Sequence, residues 1–570
     1  VESCANGHSA AHTQGAPNRD AENQEKNMTV DRVVPATGGR FGTLLRRSLF
    51  SAATAFTLVV AGFAVGPVAA QELKVAMSSP PNSMDPHFYN LFSNINVSEH
   101  VFESLIKMDA DSRIIPSLAE SWKLIDNLTW EFKLRKDAKF HDGSDVTAED
   151  VAWSLDRTSK ILNSPGKFDV YTKSIVSKTI VDPKTIRLIT ATPYPLMLSD
   201  LTSIFIVSKK ATEGLSSDDF SSGKGMVGSG PFKFVSFARD DRVELVRNDQ
   251  YWGPKPAWTK VTLRFIPQPA TRVAALLAKD VDAIENVPTA DLKRIRDSKD
   301  LNFFSKVSHR VIYLNLDQRE KSPFVTDKDG NVLEKNPFRD QRVRDAMTIA
   351  INREAIKDRV MEGLSEPTSN MVPTTLFGHV PELKVPKYDP DRAKKLLAEA
   401  GYPNGFGVTL HGPNNRYVND ELILQAVASM WTRIGVPTKV AASPMADFAS
   451  RVSIRRKEFS TWLLGWGAQT GEVSSPLRAL TACENPEKGF GTNNGMSYCN
   501  PKADALLEQG LAEVDDAKRL KLFQEAVTMV IKDGAFMPIH QQVTTWAARK
   551  GVDYVPRTDE RTYAHNFKPQ

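Results

Sequence analysis

The stretch LAESWKLIDNLTWEFKLRKDAKFHDGSDVTAEDVAWSL, residues 118–155, decides the reading of this chain. Trp130, Phe132 and Leu134 alternate with Glu131, Lys133 and Arg135, the two-residue period of a strand with one buried face. His141-Asp142-Gly143 makes a turn. Thr147, with Asp150 three residues on, predicts the cap of a short helix carrying Val151 and Leu155. No catalytic constellation is present, so the information lies in the order of the elements.

Outward from this block, strands and helices mix without strict alternation. LKVAM from Leu73 predicts a strand. SSPPNSMDPHFYNLFSNINVSEH follows as an irregular connection, because Pro80, Pro81 and Pro86 forbid regular pairing. A helix is expected through Val97, Val101 and Leu105. In GSGPFKFVSFARDDRVELVRNDQYWG (228–253), Gly228 and Gly230 supply a permissive turn before strands at Phe232 and Phe234 and at 242–247. VTLRFIP predicts another strand, 271–277 a helix, and VDAIENV a short buried strand. RVRDAMTIAINREAI reads as one helix with Val343, Met347, Ala350 and Ile351 on its apolar face. Asp389-Pro390 and Asn500-Pro501 are helix starts, and Gly401 is a helix end. A long helix buries Leu522, Ala526, Met529 and Val530, and AFMPIHQQVTTW returns as a strand. These patterns predict an α/β protein with mixed sheets.

The start of the chain bears on its compartment. Arg46 and Arg47 precede an apolar run over 49–65, which Gly66-Pro67 ends, and Val68-Ala69-Ala70 puts small residues before Gln71. This describes a secretory signal peptide cut after Ala70, with a membrane anchor as the competing reading. Met28 is a plausible true start, and the arginine pair also fits a twin-arginine signal loosely. No cysteine stands at the cleavage point, so a free periplasmic protein is expected, without a lipid anchor. Charge is nearly balanced, 73 Lys and Arg against 68 Asp and Glu, which argues against a nucleic-acid partner. Beyond residue 70 the cysteines are Cys483 and Cys499. In an oxidising compartment they read as a disulfide closing a short loop, with two free thiols as the alternative. Neither has a histidine at metal-ligand spacing.

Three blocks occur in one order: LAESWKL…FHDGSDVTAEDV, GSGPFKF…RNDQYWG, and RVRDAMTIAINREAI…YDPDRAKKLLAEAGYPNGF. GWGAQTGEVSSP with YCNPKADALLEQ makes a fourth. Together they resemble the bacterial extracellular solute-binding proteins of family 5, the oligopeptide- and dipeptide-binding type. The resemblance implies a two-lobed periplasmic-binding-protein clamshell with an extra domain inserted in the N-terminal lobe. It divides the chain into an extension and signal peptide (1–70), lobe I (71–105 with 229–315 and 546–570), the inserted domain (106–228) and lobe II (316–545). It implies a monomer that closes on a peptide or peptide-like solute and presents it to an ABC permease with its ATPase subunits. No cofactor and no metal are implied.

The resemblance also names site positions. Gly465, Trp466, Gly467 and Ala468 would meet an extended ligand as an added strand meets a sheet edge. Trp466 would cover an apolar side chain, or else belong to the lobe core. Peptide-binding members commonly carry an aspartate for the ligand's ammonium where this chain has Gln469, a neutral amide; Glu472 lies close enough in sequence to substitute. In HGPNNRYVND (411–420), Arg416 would grip a carboxylate, with Asn415 and Tyr417 adding hydrogen bonds; a solvated loop is the other reading. Tyr89, Asn90 and Asn94 are further candidates. An enzyme is not expected: there is no G-x-S-x-G, no H-E-x-x-H and no phosphate-binding loop with lysine. Because of Gln469, an opine, a metal chelate or a modified peptide remains the alternative solute, and a chemoreceptor an alternative partner.

Overall fold

The computed structural model describes residues 71–570; the expected signal peptide lies outside the described residues. The framework is a 12-stranded mixed sheet. At its centre Leu301–Leu316 and Met537–Arg549 run antiparallel over most of their length. On one side of this pair come Ala283–Glu285, Glu72–Met77, Lys260–Phe265, Arg242–Arg247 and Phe232–Ala238. On the other side Thr461–Gly467 pairs with the second half of Leu301–Leu316, followed by Gly407–Pro413. Both long strands therefore pass from one half of the molecule to the other. Their register slips between Val307 and Val311, where the chain crosses. Extra residues in one strand bend and twist a ladder locally.

A separate four-stranded antiparallel sheet holds Ala119–Asp126, Thr129–Leu134, Thr185–Thr190 and Ile175–Asp182. Its inner residues Phe132, Leu134, Ile186 and Leu188 share one buried cluster with Val75, Phe232 and Trp546. The far half is two-faced. Ile312, Leu314, Tyr417 and Trp431 fill one side of its sheet, and Val311, Tyr313, Phe448 and Trp462 the other.

The expected helix starts are present. Thr147 and Asp150 form a reciprocal capping box on Ala148–Arg157. Asp389 accepts from the Arg392 N–H at the start of Pro390–Glu399, and Asn500 caps Pro501–Ala512 in the same manner. Four expectations are corrected. The helix over Val97, Val101 and Leu105 is shorter, Phe92–Ser98. Its end is held by the His100 ring, whose Nδ1 donates to the carbonyls of Asn96 and Val97 while Nε2 accepts from the Ala564 N–H. The helix over RVRDAMTIAINREAI is two, Gln341–Ile349 and Arg353–Arg359, because the Asn352 side chain caps the second through the Ala355 N–H. In the long helix Asp516–Lys532 the fully buried face is Phe523, Ala526, Val527 and Val530, so Leu522 and Met529 flank it. Gly228 and Gly230 serve close approach, not a left-handed turn: a Cβ at Gly228 would lie 1.9 Å from the Val101 carbonyl oxygen.

Cys483 and Cys499 form a disulfide. It closes the loop that follows the short π-turn Leu477–Thr481. On the chain-entropy account it stabilises by about 3 kcal/mol. Replacing both cysteines by serine should lower the unfolding free energy by that amount, seen as an earlier midpoint in urea at unchanged slope.

Candidate functional site

The site is built where the strand Thr461–Gly467 ends beside the crossing point. Gly467 lies opposite Arg310 and Trp466 opposite Val311. A Cβ at Gly465 would meet the Tyr417 ring at 2.8 Å, and one at Gly467 would meet His309 Nε2 at 3.0 Å. The glycines thus admit neighbouring side chains against the backbone. The Tyr417 hydroxyl donates to the Gly465 carbonyl at 3.1 Å. The Arg416 guanidinium lies over the Tyr417 ring, 5.2 Å from its centre. The 411–420 loop and the GWG strand are therefore brought together.

Arg416 is exposed, and among the described residues its side chain makes no ion pair or hydrogen bond. The surrounding protein nevertheless lowers its pKa, and the like charge of Arg310 adds to this. Arg310 is itself spoken for. Glu560 accepts from Arg310 (2.8 Å), from the Ser308 hydroxyl (2.6 Å) and from the Gln542 amide (2.9 Å), drawing both crossing strands onto one carboxylate. Burial pushes the Glu560 carboxyl up, but the Arg310 guanidinium outweighs it and holds the pKa at about 2.

The remaining candidates divide. Trp466 is half-buried against the Val311 face of the core, its indole N–H donating to Ser475 Oγ at 3.1 Å. Ala468 is fully buried and Gln469 half-buried, its backbone N–H turning back to the Gly467 carbonyl. Asn415 Oδ1 accepts from the Met445 N–H at 2.9 Å and so braces a neighbouring helix. Tyr89 packs its ring on Gly166. Asn90 donates to the Tyr171 hydroxyl at 2.9 Å. Asn94 is buried, its amide N–H donating to Asn82 Oδ1 and its Oδ1 accepting from the Asn82 backbone N–H. Glu472 is buried in an ion pair with Arg519 and also accepts from Ser474, so it is committed within its own lobe.

Sequence reasoning missed a second wall. A Cβ at Gly471, in the loop beyond GWG, would lie 3.2 Å from Met108 Cε and 3.5 Å from the Ser112 carbonyl oxygen. The helix Met197–Leu201 packs on the strand Ile106–Met108 and carries Asp200, 5% exposed. Tyr194 donates its hydroxyl to Asp200 at 2.5 Å. Only the contact of segments far apart in sequence reveals this group. Among the described residues no cluster of His, Cys, Asp and Glu is placed to hold a metal ion, and no helix is long and apolar enough to cross a membrane.

Two halves joined by a pair of crossing strands, with polar groups gathered where they meet, define a two-lobed solute-binding protein. Residues 113–488 match the profile of the bacterial extracellular solute-binding proteins, family 5 (middle), and the chain belongs to this family. It is 28% identical over 479 residues to the glutathione-binding protein GsiB of Escherichia coli O1:K1 / APEC, covering 83% of this chain and 89% of that one. Its fold matches HbpA2 of Haemophilus parasuis with a TM-score of 0.74 at 24% identity, over 88% of this chain and all of that one. It also matches the binding protein AgaA of A. tumefacien R10, solved with agropinic acid, with a TM-score of 0.66 at 25% identity, over 88% of this chain and 99% of that one. The chain is thus a solute-capturing component of an ABC importer, a class that works with permease and ATPase subunits, and not an enzyme.

Proposed function

We propose that this chain captures small peptides or peptide-like solutes bearing a free carboxylate in the periplasm and delivers them to a membrane permease. The observation that carries this is Arg416: a guanidinium with no partner of its own, stacked on Tyr417 beside the open end of the GWG strand. Such a fork takes a carboxylate through two parallel hydrogen bonds. The GWG backbone beside it offers the main-chain groups an extended peptide needs. The name of the relative GsiB, a glutathione-binding protein, supports a peptide-like solute. The cleaved signal peptide over 46–70, the absence of a lipid anchor and a monomeric state belong to the same reading. Lobe I, the inserted domain and lobe II, with the boundaries given above, are its moving parts.

Gln469 favours a second reading, a non-peptide acid, since a neutral amide gives no charge to a ligand ammonium; the relative AgaA was solved with such an acid. Titration calorimetry against glutathione, L-alanyl-L-alanine and agropinic acid separates the two. Under the first reading at least one of the two peptides binds at micromolar Kd or tighter. Binding of agropinic acid alone removes it. On the same protein, Gln469→Asp should raise dipeptide affinity about tenfold if position 469 faces the ammonium, through a new ion pair worth roughly 1.4 kcal/mol. No change takes that position out of the site.

A further inference from the structure

We propose that the chain carries a second ligand site, apart from the GWG strand, which takes a small neutral molecule rich in hydroxyls, a sugar or polyol. It is a cavity of about 560 Å3 at the register slip of the crossing strands. Lys306 and Val307 supply one wall from Leu301–Leu316, and Thr558 joins them from the segment after Met537–Arg549. The chain from Ser365–Pro367 onward supplies the other wall, through Thr368, Ser369 and Pro373. The size falls in the range of small-molecule sites, about 300–1,000 Å3. The topology sets this cavity apart from the site built on GWG. Ser365–Pro367 pairs with Met537–Arg549, which lies on one side of Leu301–Leu316, and Thr461–Gly467 lies on the other. No lining residue comes from 411–420 or from 465–469.

The polar groups of the walls point to the ligand. Gln541 stands opposite Val311 on one strand and Glu366 on the other, and it lines the cavity. It is 7% exposed, and its side-chain amide makes no hydrogen bond among the described residues. Ser369 and Thr558, 4% and 1% exposed, line the same space, and neither hydroxyl has a partner among the described residues. Leaving such groups unpaired is costly, and a ligand that both donates and accepts hydrogen bonds removes the cost. Hydroxyls and a primary amide do both, and so do the hydroxyls of a sugar.

The charged groups of the walls argue for a neutral ligand, because each is already paired. Lys306 Nζ meets Asp111 at 2.6 Å, and Glu366 meets Lys357 at 3.3 Å. His379 Nδ1 faces the Val372 carbonyl at 3.0 Å. An ionic ligand would enter without a free counter-charge, and burying it would cost more than it returned. Val307, Pro367, Pro373, Leu383 and Val385 add apolar surface to the same walls. A sugar ring presents C–H groups on its faces and hydroxyls around its rim, so it meets the apolar and the polar parts together.

The test is calorimetry with D-glucose, myo-inositol, D-mannitol and sucrose, and with D-gluconate and D-glucosamine as charged counterparts. At least one neutral compound should bind the wild type at submillimolar Kd, tenfold or more tighter than both charged ones. Gln541→Leu keeps the volume and removes both hydrogen-bonding groups, and should weaken that compound at least fivefold. Arg416→Ala should leave its affinity within twofold. Binding by none of the four neutral compounds overturns the proposal, and so does a charged compound that binds within tenfold of the best of them. A smaller loss in Gln541→Leu places the compound elsewhere and overturns it too. If Gln541→Leu does not fold, Gln541→Asn shortens the reach of the amide and should weaken binding at least threefold; a smaller loss has the same meaning. A larger loss in Arg416→Ala assigns the compound to the GWG site and removes the second one. The peptide titrations described above decide the carrier reading separately.

Discussion

Arg416→Ala should weaken binding of a carboxylate-bearing solute about 30- to 150-fold, the loss of roughly 2–3 kcal/mol of charge-assisted hydrogen bonding. Arg416 is not needed by the fold: it is exposed and its guanidinium has no partner among the described residues. The ligand-free melting temperature should therefore stay within a degree or two, so lost affinity cannot be ascribed to unfolding. Arg416→Lys keeps the charge but loses the two-pronged geometry and should fall between. Calorimetry on the three proteins, with an acid and its amide, reads the effect. An amide that binds the wild type as well as the acid does takes Arg416 out of the carboxylate site.

Glu560→Ala should cost about 3–5 kcal/mol of stability, because it leaves the buried Arg310 guanidinium uncompensated and orphans Ser308 and Gln542. These groups sit on both crossing strands at the register slip, so the loss is concentrated where the two strands change register. The contribution also has a pH signature. The carboxyl pKa is depressed in the folded protein to about 2, so its stabilisation is complete above the ordinary glutamate range. It is lost as pH falls from about 4.5 through 2. Urea titrations of wild type and Glu560→Gln between pH 2 and 7 should converge at the acid end and diverge above pH 5. Parallel curves would show that Glu560 is not the hub.

Much of the fold was legible because its signals are local. The Thr147–Asp150 box and the Asp389-Pro390 and Asn500-Pro501 starts need only their own few residues, and each begins a helix where expected. The failures are positions where a distant partner overrides local pattern. The helix after Phe92 stops early because His100 answers to Ala564, at the other end of the chain. Gly228 looked like a turn residue, and its real constraint is the Val101 backbone.

The site divides along the same line. GWG and the 411–420 loop were recognisable as separate motifs, and the Tyr417–Gly465 bond joins them. Whether Glu472 was free could not be read from its neighbours, since its partner is Arg519. Asp200 offered no motif at all. It stands out only once its burial and the Tyr194 hydroxyl that meets it are known.

The central claim is capture of a peptide-like solute, and native mass spectrometry of the protein released from periplasm without denaturation tests it most directly. A closed two-lobed binder with ligand enclosed retains it through gentle purification. Adduct masses that correspond to peptides or peptide-like acids, and that disappear on mild denaturation, are expected. A single non-peptide mass in the cleft would contradict it.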